Sequence, residues 1–166
     1  DIGVVVISAT AGIEVNTRRL FKVAQDNKLA LAIIINKIDG ENVNLERLLV
    51  EIREVFGAAC KSMNLPAAGN TSVVDCFKNT QGQVDLEDVG DAHTQLVESI
   101  IEADEALMES YLGGEAIAPE KLSAAFAKAM VAGTVIPILF TAAKAGVGVK
   151  EFADAIALYF PNPTQM

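Results

Sequence analysis

The two ends of the chain contain three apolar runs. Each run is followed by a segment whose apolar positions have helical spacing. Residues 2–7, 29–35 and 134–140 are almost continuously apolar and rich in Ile and Val. Runs of this kind, bounded by polar or glycine residues, are typical of strands that are buried on both faces of a parallel sheet. The pattern therefore predicts three buried strands.

The segment after the first run has the spacing of an amphipathic helix. Asn16 or Thr17 can cap its N-terminus, because a side-chain oxygen at that position accepts a bond from an orphan backbone N–H. We expect this helix to end near Asn27. Its expected buried face consists of Leu20, Phe21 and Ala24.

Two further helices follow the second and third runs. Residues 45–56 form the first, and Gly57 directly after it predicts a left-handed C-cap. Residues 150–160 form the second, which Pro161 and Pro163 terminate because proline cannot continue a helix. The apolar face of the first of these helices consists of Leu45, Leu48, Leu49, Ile52 and Phe56.

The middle of the chain carries a different helical pattern. Residues 91–112 predict one long amphipathic helix, and residues 119–133 predict a second one with Pro119 at its first position. One side of the long helix consists of Leu96, Val97, Ile100, Ile101, Leu107 and Met108, with Glu98, Glu102, Glu105 and Glu109 outward. The apolar residues expected in the core from the second helix are Leu122, Phe126 and Met130. The long helix is interpreted either as a core stripe with a solvated acidic face or as a docking face for a basic partner protein.

The negative charge is concentrated in this middle part. The 166 residues have a formal net charge of −9, and residues 64–133 contain twelve acids and three bases, while the flanks are neutral. We interpret the chain as a frame made of residues 1–63 and 134–166, interrupted by an acidic subdomain at residues 64–133. Because phosphate backbones repel such a charge, direct DNA binding is not expected.

The alternation of strands and helices in the frame predicts an α/β fold with a doubly wound parallel sheet. Ligands bind at the carboxyl ends of the strands in such sheets. The second predicted strand runs directly into Asn36-Lys37-Ile38-Asp39. A carboxylate such as Asp39 accepts hydrogen bonds and donates none, so it can accept from guanine N1–H and the exocyclic amino group together. This position therefore predicts a guanine-binding loop.

The other residues near this point fit the same interpretation. The aliphatic stem of Lys37 can lie over the base while its ammonium stays in water, and the Asn36 amide can tie neighbouring loops together. The loop after the third predicted strand contains Ala142 and Ala143, and a backbone N–H there can meet guanine O6. The alternative interpretation of residues 36–39 is a solvated polar turn, since Asn, Asp and Gly are common in turns.

These residues resemble the later part of the GTP-binding domain of the translation elongation factor G family, with its insert subdomain. The similarity covers nearly the whole chain and includes residues 1–6, 11–17, 36–39, 102–112 and 160–163. It implies an incomplete doubly wound parallel sheet of a P-loop-type GTPase domain with an inserted α+β acidic subdomain. The family has Ser at the position of Ala142, so a hydroxyl that would brace the loop is missing here. The resemblance also implies a ribosomal partner, with the insert as a platform for the ribosomal stalk protein.

The sequence has no element for phosphoryl transfer. No Gly-x-x-x-x-Gly-Lys-Ser/Thr segment occurs in the 166 residues, and the family's catalytic His belongs to an upstream part. No catalytic residue is therefore predicted, and Mg²⁺ is expected only in a full-length parent. His93, the only histidine, is expected to be a surface helix residue rather than a catalytic group.

The expected function is that of a base-recognising half of a translational GTPase domain, with GTP or GDP as ligand and a parent that promotes ribosomal translocation. The alternatives are a GTPase-derived protein-binding module that does not hydrolyse GTP, and a divergent paralogue in ribosome recycling. Cys60 and Cys76 have no zinc-ligand spacing, so we expect reduced thiols and a cytoplasmic protein. The longest apolar run is too short to span a membrane.

Overall fold

The computed structural model describes residues 1–165, in which strands and helices alternate at both ends of the chain and are grouped as three strands and three helices in the middle. In chain order the elements are β1 (Ile2–Ser8), α1 (Val15–Asp26), β2 (Ala30–Asn36), α2 (Leu45–Phe56), β3 (Cys60–Ser62), β4 (Asn64–Ala67), β5 (Ser72–Asp75), α3 (Val89–Ile101), α4 (Glu105–Leu112), α5 (Pro119–Ala132), β6 (Ile136–Phe140) and α6 (Val149–Leu158). The three predicted strands are thus β1, β2 and β6.

The main sheet is parallel and has the strand order β1-β2-β6-β3. β2 pairs with β1 along its whole length, from Ile2 opposite Ala30 to Ser8 opposite Asn36. On its other side β2 pairs with β6, with Ile35 opposite Phe140. β3 and β4–β5 are strands that the sequence did not predict. β4 and β5 form a separate antiparallel hairpin.

The sheet is covered on both faces, which confirms the predicted doubly wound α/β architecture. Side chains of β2 alternate between two cores: Leu31, Ile33 and Ile35 point to one, and Ala30, Ala32 and Ile34 point to the other. This alternation follows from the two-residue period of a strand. α1 and α2 cover the first face, while α3, α5 and α6 cover the second.

Aromatic side chains fill the centre of each core. On the first face, the rings of Phe21 and Phe56 have centroids 4.1 Å apart. On the second face, Phe77 packs edge-on against Phe126 and Tyr159, with centroids 5.4 and 4.8 Å away. The residues predicted to be buried from the second insert helix, Leu122, Phe126 and Met130, are buried there.

Strand β1 is less buried than its sequence predicted. Val4 and Val6 are 41% and 61% exposed, so the prediction that both faces of this strand are covered was wrong. β1 is an edge strand of the sheet in residues 1–165. Val5 and Ile7 pack on the first core, whereas on the opposite face Ile2 packs against the second core and Val4 and Val6 stay exposed. The apolar pattern reports β-propensity but not which neighbours are present.

The N-cap of helix α1 lies two residues before the nearer of the two predicted caps, Asn16 and Thr17. Glu14 is its N-cap, and the Glu14 N–H donates to the hydroxyl of Thr17 in the first turn, at 3.3 Å. Phe21 and Ala24 are buried as predicted, but Leu20 is 55% exposed and does not belong to the buried face. Three apolar positions were too few to define which face of the helix is buried.

At the C-terminus of α2, Gly57 is the C-cap residue, but its φ of 104° is combined with ψ of 170°. This is an extended conformation with positive φ rather than the predicted left-handed helical one. All five residues expected on the buried face of α2 are buried.

The long helix predicted over residues 91–112 is two helices. α3 ends at Ile101, and α4 starts at Glu105 after the N-cap Asp104. The Asp104 carboxylate accepts from the Leu107 N–H at 3.3 Å and from the Lys128 ammonium on α5 at 3.0 Å. The apolar positions continue through this break, which is why periodicity alone did not reveal it.

The acidic insert shares both cores with the frame. Leu65, Cys76 and Val89 pack on the first face of the sheet, whereas Leu96 and Phe126 pack on the second. Arg53 of α2 also forms a two-pronged ion pair with Glu87 of the insert, and the Ser62 hydroxyl donates to the same carboxylate at 3.0 Å. The bounds of the insert at residues 64 and 133 stay a prediction.

Both cysteines are buried and free. Burial raises the pKa of Cys60 and of Cys76 to about 12, so both are held as thiols at neutral pH. Over residues 1–165, no helix combines the length and the apolar character needed to cross a bilayer.

The cap at Asp104 gives a pH-dependent prediction. The Lys128 ammonium and the backbone N–H groups of α4 hold the pKa of the Asp104 carboxyl below its usual value. Because the folded pKa is lowered, this group stabilises the fold above its unfolded pKa of about 3.9, and the stabilisation is lost as the pH falls through the folded pKa.

We expect Asp104→Ala to cost about 1 kcal/mol at pH 7. Asp104→Asn keeps a capping oxygen and should lose less. The difference in free energy of unfolding between wild type and Asp104→Asn, measured by urea titration, should shrink from pH 7 to below the folded pKa. A difference that stays constant with pH would contradict the assignment.

Candidate functional site

The predicted binding residues lie at the carboxyl edge of the two central strands. β2 ends at Asn36, and β6 ends at Phe140, next to Ala142 and Ala143. Since the strands are parallel and Ile35 is opposite Phe140, their ends meet at the same edge of the sheet. The structure therefore brings residues 36–39 and residues 141–143 together.

The side chain of Asn36 joins the two loops, as the sequence predicted. Its carboxamide oxygen accepts from the Ala143 N–H at 3.0 Å and from the Thr141 hydroxyl at 3.2 Å. The backbone adds a third connection, because the Ile38 N–H donates to the Thr141 carbonyl at 3.2 Å. The loops form one connected unit.

Thr141 is a part of this unit that sequence reasoning missed. It is buried, and its hydroxyl also lies 3.4 Å from the Ile35 carbonyl. The resemblance suggested that Ala142 removes a bracing hydroxyl from the loop. The Thr141 hydroxyl braces the same loop from the preceding position, so the loop is not left without a side-chain hydrogen bond.

Ala142 and Ala143 differ in exposure. Ala142 is buried and exchanges backbone hydrogen bonds with Val147 across the following turn. Ala143 is exposed, and its N–H is bonded to Asn36 rather than open to solvent. A base that contacts this N–H must therefore share it with Asn36 or replace Asn36.

Lys37 and Asp39 flank a fully buried residue, Ile38. Lys37 has a left-handed backbone with φ of 63°, and both Lys37 and Asp39 are exposed. Within residues 1–165 the Asp39 carboxylate accepts no hydrogen bond. The buried Ile38 side chain anchors the loop while two charged side chains stay available at its surface.

The turn after Asp39 leaves little room for a side chain at Gly40. A Cβ at Gly40 would lie 2.5 Å from the methyl group of Thr10 and 3.1 Å from the Lys37 carbonyl. The Gly40 N–H donates to that same carbonyl at 3.0 Å. The close approach of the 8–12 loop to this turn depends on the missing side chain.

Asn64 of the insert supports the end of β6. β3 ends at Ser62, so beyond that point β6 has no strand on this side. The Asn64 carboxamide takes its place: it accepts from the Phe140 N–H at 2.7 Å and donates to the Phe140 carbonyl at 3.4 Å. Asn64 is buried and makes both bonds, so it holds the start of the 141–143 loop.

The single histidine of the sequence belongs to α3 rather than to the loops at this edge. His93 lies on α3, where its Nδ1 is 2.9 Å from the Cys76 carbonyl, which is a structural contact. Among residues 1–165 no group of three His, Cys, Asp or Glu side chains could hold a metal ion.

This combination of a parallel sheet with polar loops at the ends of its central strands is typical of nucleotide-binding α/β domains. Residues 1–162 match the family described as the elongation factor Tu GTP binding domain. The chain belongs to this family, and it is a translational GTPase domain of the elongation factor G type.

The individual similarities agree with this assignment. An elongation factor G-like protein of Thermotoga maritima is 30% identical over 161 residues, which is 90% of this chain and 24% of that protein. An elongation factor G of Dehalococcoides mccartyi is 29% identical in an alignment 185 positions long, which covers 100% of this chain and 27% of that protein. A crystal structure of a Thermus thermophilus protein superimposes with a TM-score of 0.81 at 27% identity, over 96% of this chain and 26% of that one. The chain thus spans about a quarter of the length of these relatives.

The support that Asn64 gives to β6 can be tested by substitution. Asn64→Ala leaves the buried N–H and carbonyl of Phe140 without their partner, which should cost about 1–3 kcal/mol of unfolding free energy. The matched control is Asn79→Ala, since Asn79 is exposed and bonds only within the insert, to the Asp75 carbonyl. Equal midpoints of urea unfolding for the two variants would contradict the role of Asn64.

Proposed function

We propose that this chain recognises the guanine base of GTP and GDP for a translational GTPase that promotes ribosomal translocation in the cytoplasm. The residues that would contact the base are Asn36, Lys37, Asp39, Ala142 and Ala143. The observation that carries the proposal is the placement of an exposed, unpaired Asp39 carboxylate beside the loop that Asn36 joins to Ala143.

Asp39 would give the choice of base. Its two acceptor oxygens match the N1–H and 2-amino group of guanine, which are two donors side by side. Adenine offers no such pair, so an adenine in the same position would leave a carboxylate desolvated and unpaired. By analogy with broken buried pairs, that costs about 3–5 kcal/mol.

Lys37 and Ala143 would complete the base site. The exposed Lys37 side chain has an aliphatic stem that can cover one face of a purine. Guanine O6 is an acceptor, so it can take the Ala143 N–H that Asn36 now holds. The buried Ala142, fixed by Val147, would keep that N–H at a constant place.

Phosphate chemistry would belong to other parts of the full-length protein. The 166 residues contain no phosphate-binding Gly-Lys-Ser/Thr loop. We therefore assign the phosphate contacts, Mg²⁺ and the hydrolytic step to the whole enzyme, and only base recognition to this chain.

The insert offers a surface for a protein partner on the ribosome. α3 and α4 border a groove of about 430 Å³, lined by Glu98, Ser99, Ile101, Glu102, Met108, Tyr111 and Leu112. Leu112 is 77% exposed, so an apolar strip lies between acidic side chains. This composition suits a basic, partly apolar partner such as the ribosomal stalk protein.

The same groove favours the second candidate function, a protein-binding module that has lost hydrolysis. A paralogue that acts in ribosome recycling is a further variant of the main proposal. Ribosome-stimulated GTP hydrolysis by the full-length protein would separate the enzyme from the binding module, and a translocation assay would separate translocation from recycling.

Removal of the Asp39 carboxylate tests the guanine site. In the full-length protein, Asp39→Ala should weaken binding of a fluorescent GDP analogue at least about a hundredfold, because two bonds to a charged acceptor are lost. Glu41→Ala, which removes an exposed carboxylate two residues further on, is the matched control and should bind normally. Wild-type affinity in Asp39→Ala would refute the proposed site.

Exchange of the carboxylate for an amide tests the geometry. Asp39→Asn presents one donor and one acceptor, so it should lose affinity for GDP and gain affinity for xanthosine diphosphate, whose position 2 is an acceptor. Competition titrations with the two nucleotides measure the preference directly. Unchanged base selectivity would show that Asp39 does not face this edge of the base.

A further inference from the structure

The tip of the β4–β5 hairpin contacts the predicted base-recognition loop. The side-chain nitrogen of Asn70 donates to the carbonyl oxygen of Ile38 at 3.1 Å. Ile38 stands between Lys37 and Asp39, and Asn70 belongs to the acidic insert. A residue of the insert is therefore bonded directly to the backbone of the site.

Asn70 is itself held in place by three features. Its backbone is left-handed, with φ of 64°, a conformation that Asn tolerates better than most residues. Its N–H donates to the Asp85 carboxylate at 3.0 Å. The Asp85 N–H in turn donates to the Pro66 carbonyl of β4 at 2.8 Å, which connects the tip to the body of the hairpin. The carboxamide is thus presented by a braced turn.

The Ile38 residue is fixed from the frame as well. Its side chain is fully buried, and its N–H donates to the Thr141 carbonyl. The remaining backbone group, the Ile38 carbonyl, is the one that Asn70 holds. The frame and the insert therefore each restrain one end of this residue.

The restraint on this carbonyl reaches Asp39 through covalent geometry. The Ile38 carbonyl, the Asp39 nitrogen and the Asp39 Cα lie in one planar peptide unit. Fixing the oxygen therefore fixes the plane from which the Asp39 side chain leaves the backbone. The exposed Asp39 carboxylate has no protein partner of its own in residues 1–165. Its backbone is therefore restrained by this peptide plane on one side and by the bond from the Gly40 N–H to the Lys37 carbonyl on the other.

We propose that Asn70 is a positioning residue for guanine recognition, which aligns the Asp39 carboxylate with the N1–H and 2-amino edge of the base. The inference rests on the proposed function of Asp39. It makes the insert a contributor to base selectivity. Two parallel hydrogen bonds to a purine edge require a defined plane of the Asp39 carboxylate, so movement of the Ile38–Asp39 peptide would misalign both bonds.

The test is Asn70→Gly in the full-length protein. Glycine adopts the left-handed conformation without strain, so this variant removes the carboxamide and keeps the turn. GDP and inosine diphosphate compete against a fluorescent GDP analogue, since inosine lacks the 2-amino group that Asp39 would bind. We expect GDP affinity to fall about three- to tenfold, with a smaller loss for inosine diphosphate, so that the preference for GDP shrinks.

Two variants accompany this measurement. Asn70→Asp keeps the size and the turn preference but presents an acceptor to the Ile38 carbonyl, so it should lose at least as much preference for GDP. Asn79→Ala removes another insert carboxamide that bonds a backbone carbonyl, that of Asp75, and should keep the wild-type preference.

The outcomes distinguish this inference from the proposed function. If Asp39→Ala abolishes the preference and Asn70→Gly leaves it intact, the guanine site stands and the role of Asn70 is refuted. An equal loss for both nucleotides in Asn70→Gly means a merely structural role and also refutes it. If Asp39→Ala keeps the preference, the proposed function itself fails.

Should Asn70→Gly unfold, Asp85→Ala releases the Asn70 N–H instead and must reduce the preference in the same direction.

Discussion

The parallel pairing of β2 with β6 is the constraint on which the rest of the molecule depends. Ile35 and Phe140 are neighbours in the sheet although about a hundred residues separate them along the chain. The segment between them, which includes α2, β3 and the insert, must therefore begin and end beside these two paired strands. The pairing also places Asn36 beside Thr141 and Ala143, so the candidate site is a direct product of strand register.

The insert follows from the same constraint. Its apolar residues do not form a core of their own but complete the two cores that β2 and β6 begin. This leaves the acidic residues on the outside, where their charge is solvated. Its first strand, β4, continues almost directly from β3, so Asn64 and Asn70 are brought to the end of β6 and to the motif loop. Insert and site are structurally one piece, although the charge distribution along the sequence separates them.

Local signals predicted much of the fold. Continuous apolar runs identified β1, β2 and β6, the helical period identified α2 and α5, and the strand before residues 36–39 gave the motif its place. β3 was missed because Cys60–Ser62 is a three-residue strand with no pattern. The break before α4 was missed because the apolar stripe continues through it. Exposure of Val4 and Val6 depends on neighbours that no local pattern specifies.

The parts of the site that were not predicted are long-range contacts. Thr141, Asn64 and Asn70 act on residues far away in sequence, and nothing in their local sequence marks them. Asn36, Lys37 and Asp39 could be proposed as site residues because they form a short motif with a chemical reason for each residue. Hydrogen bonds between distant segments depend on how the strands are paired in the folded sheet, and the pattern of a single sequence contains no signal for them.

The bond between Ala143 and Asn36 has a consequence for the exchange of nucleotides. On the proposed function, when a guanine leaves, the Ala143 N–H that would bind its O6 returns to the Asn36 oxygen 3.0 Å away, so this N–H would be hydrogen-bonded in both states. The loop would then not need to unfold to release its ligand. The loop would therefore keep the same conformation between turnovers. The barrier to nucleotide exchange would then arise mainly from the phosphate contacts rather than from the base.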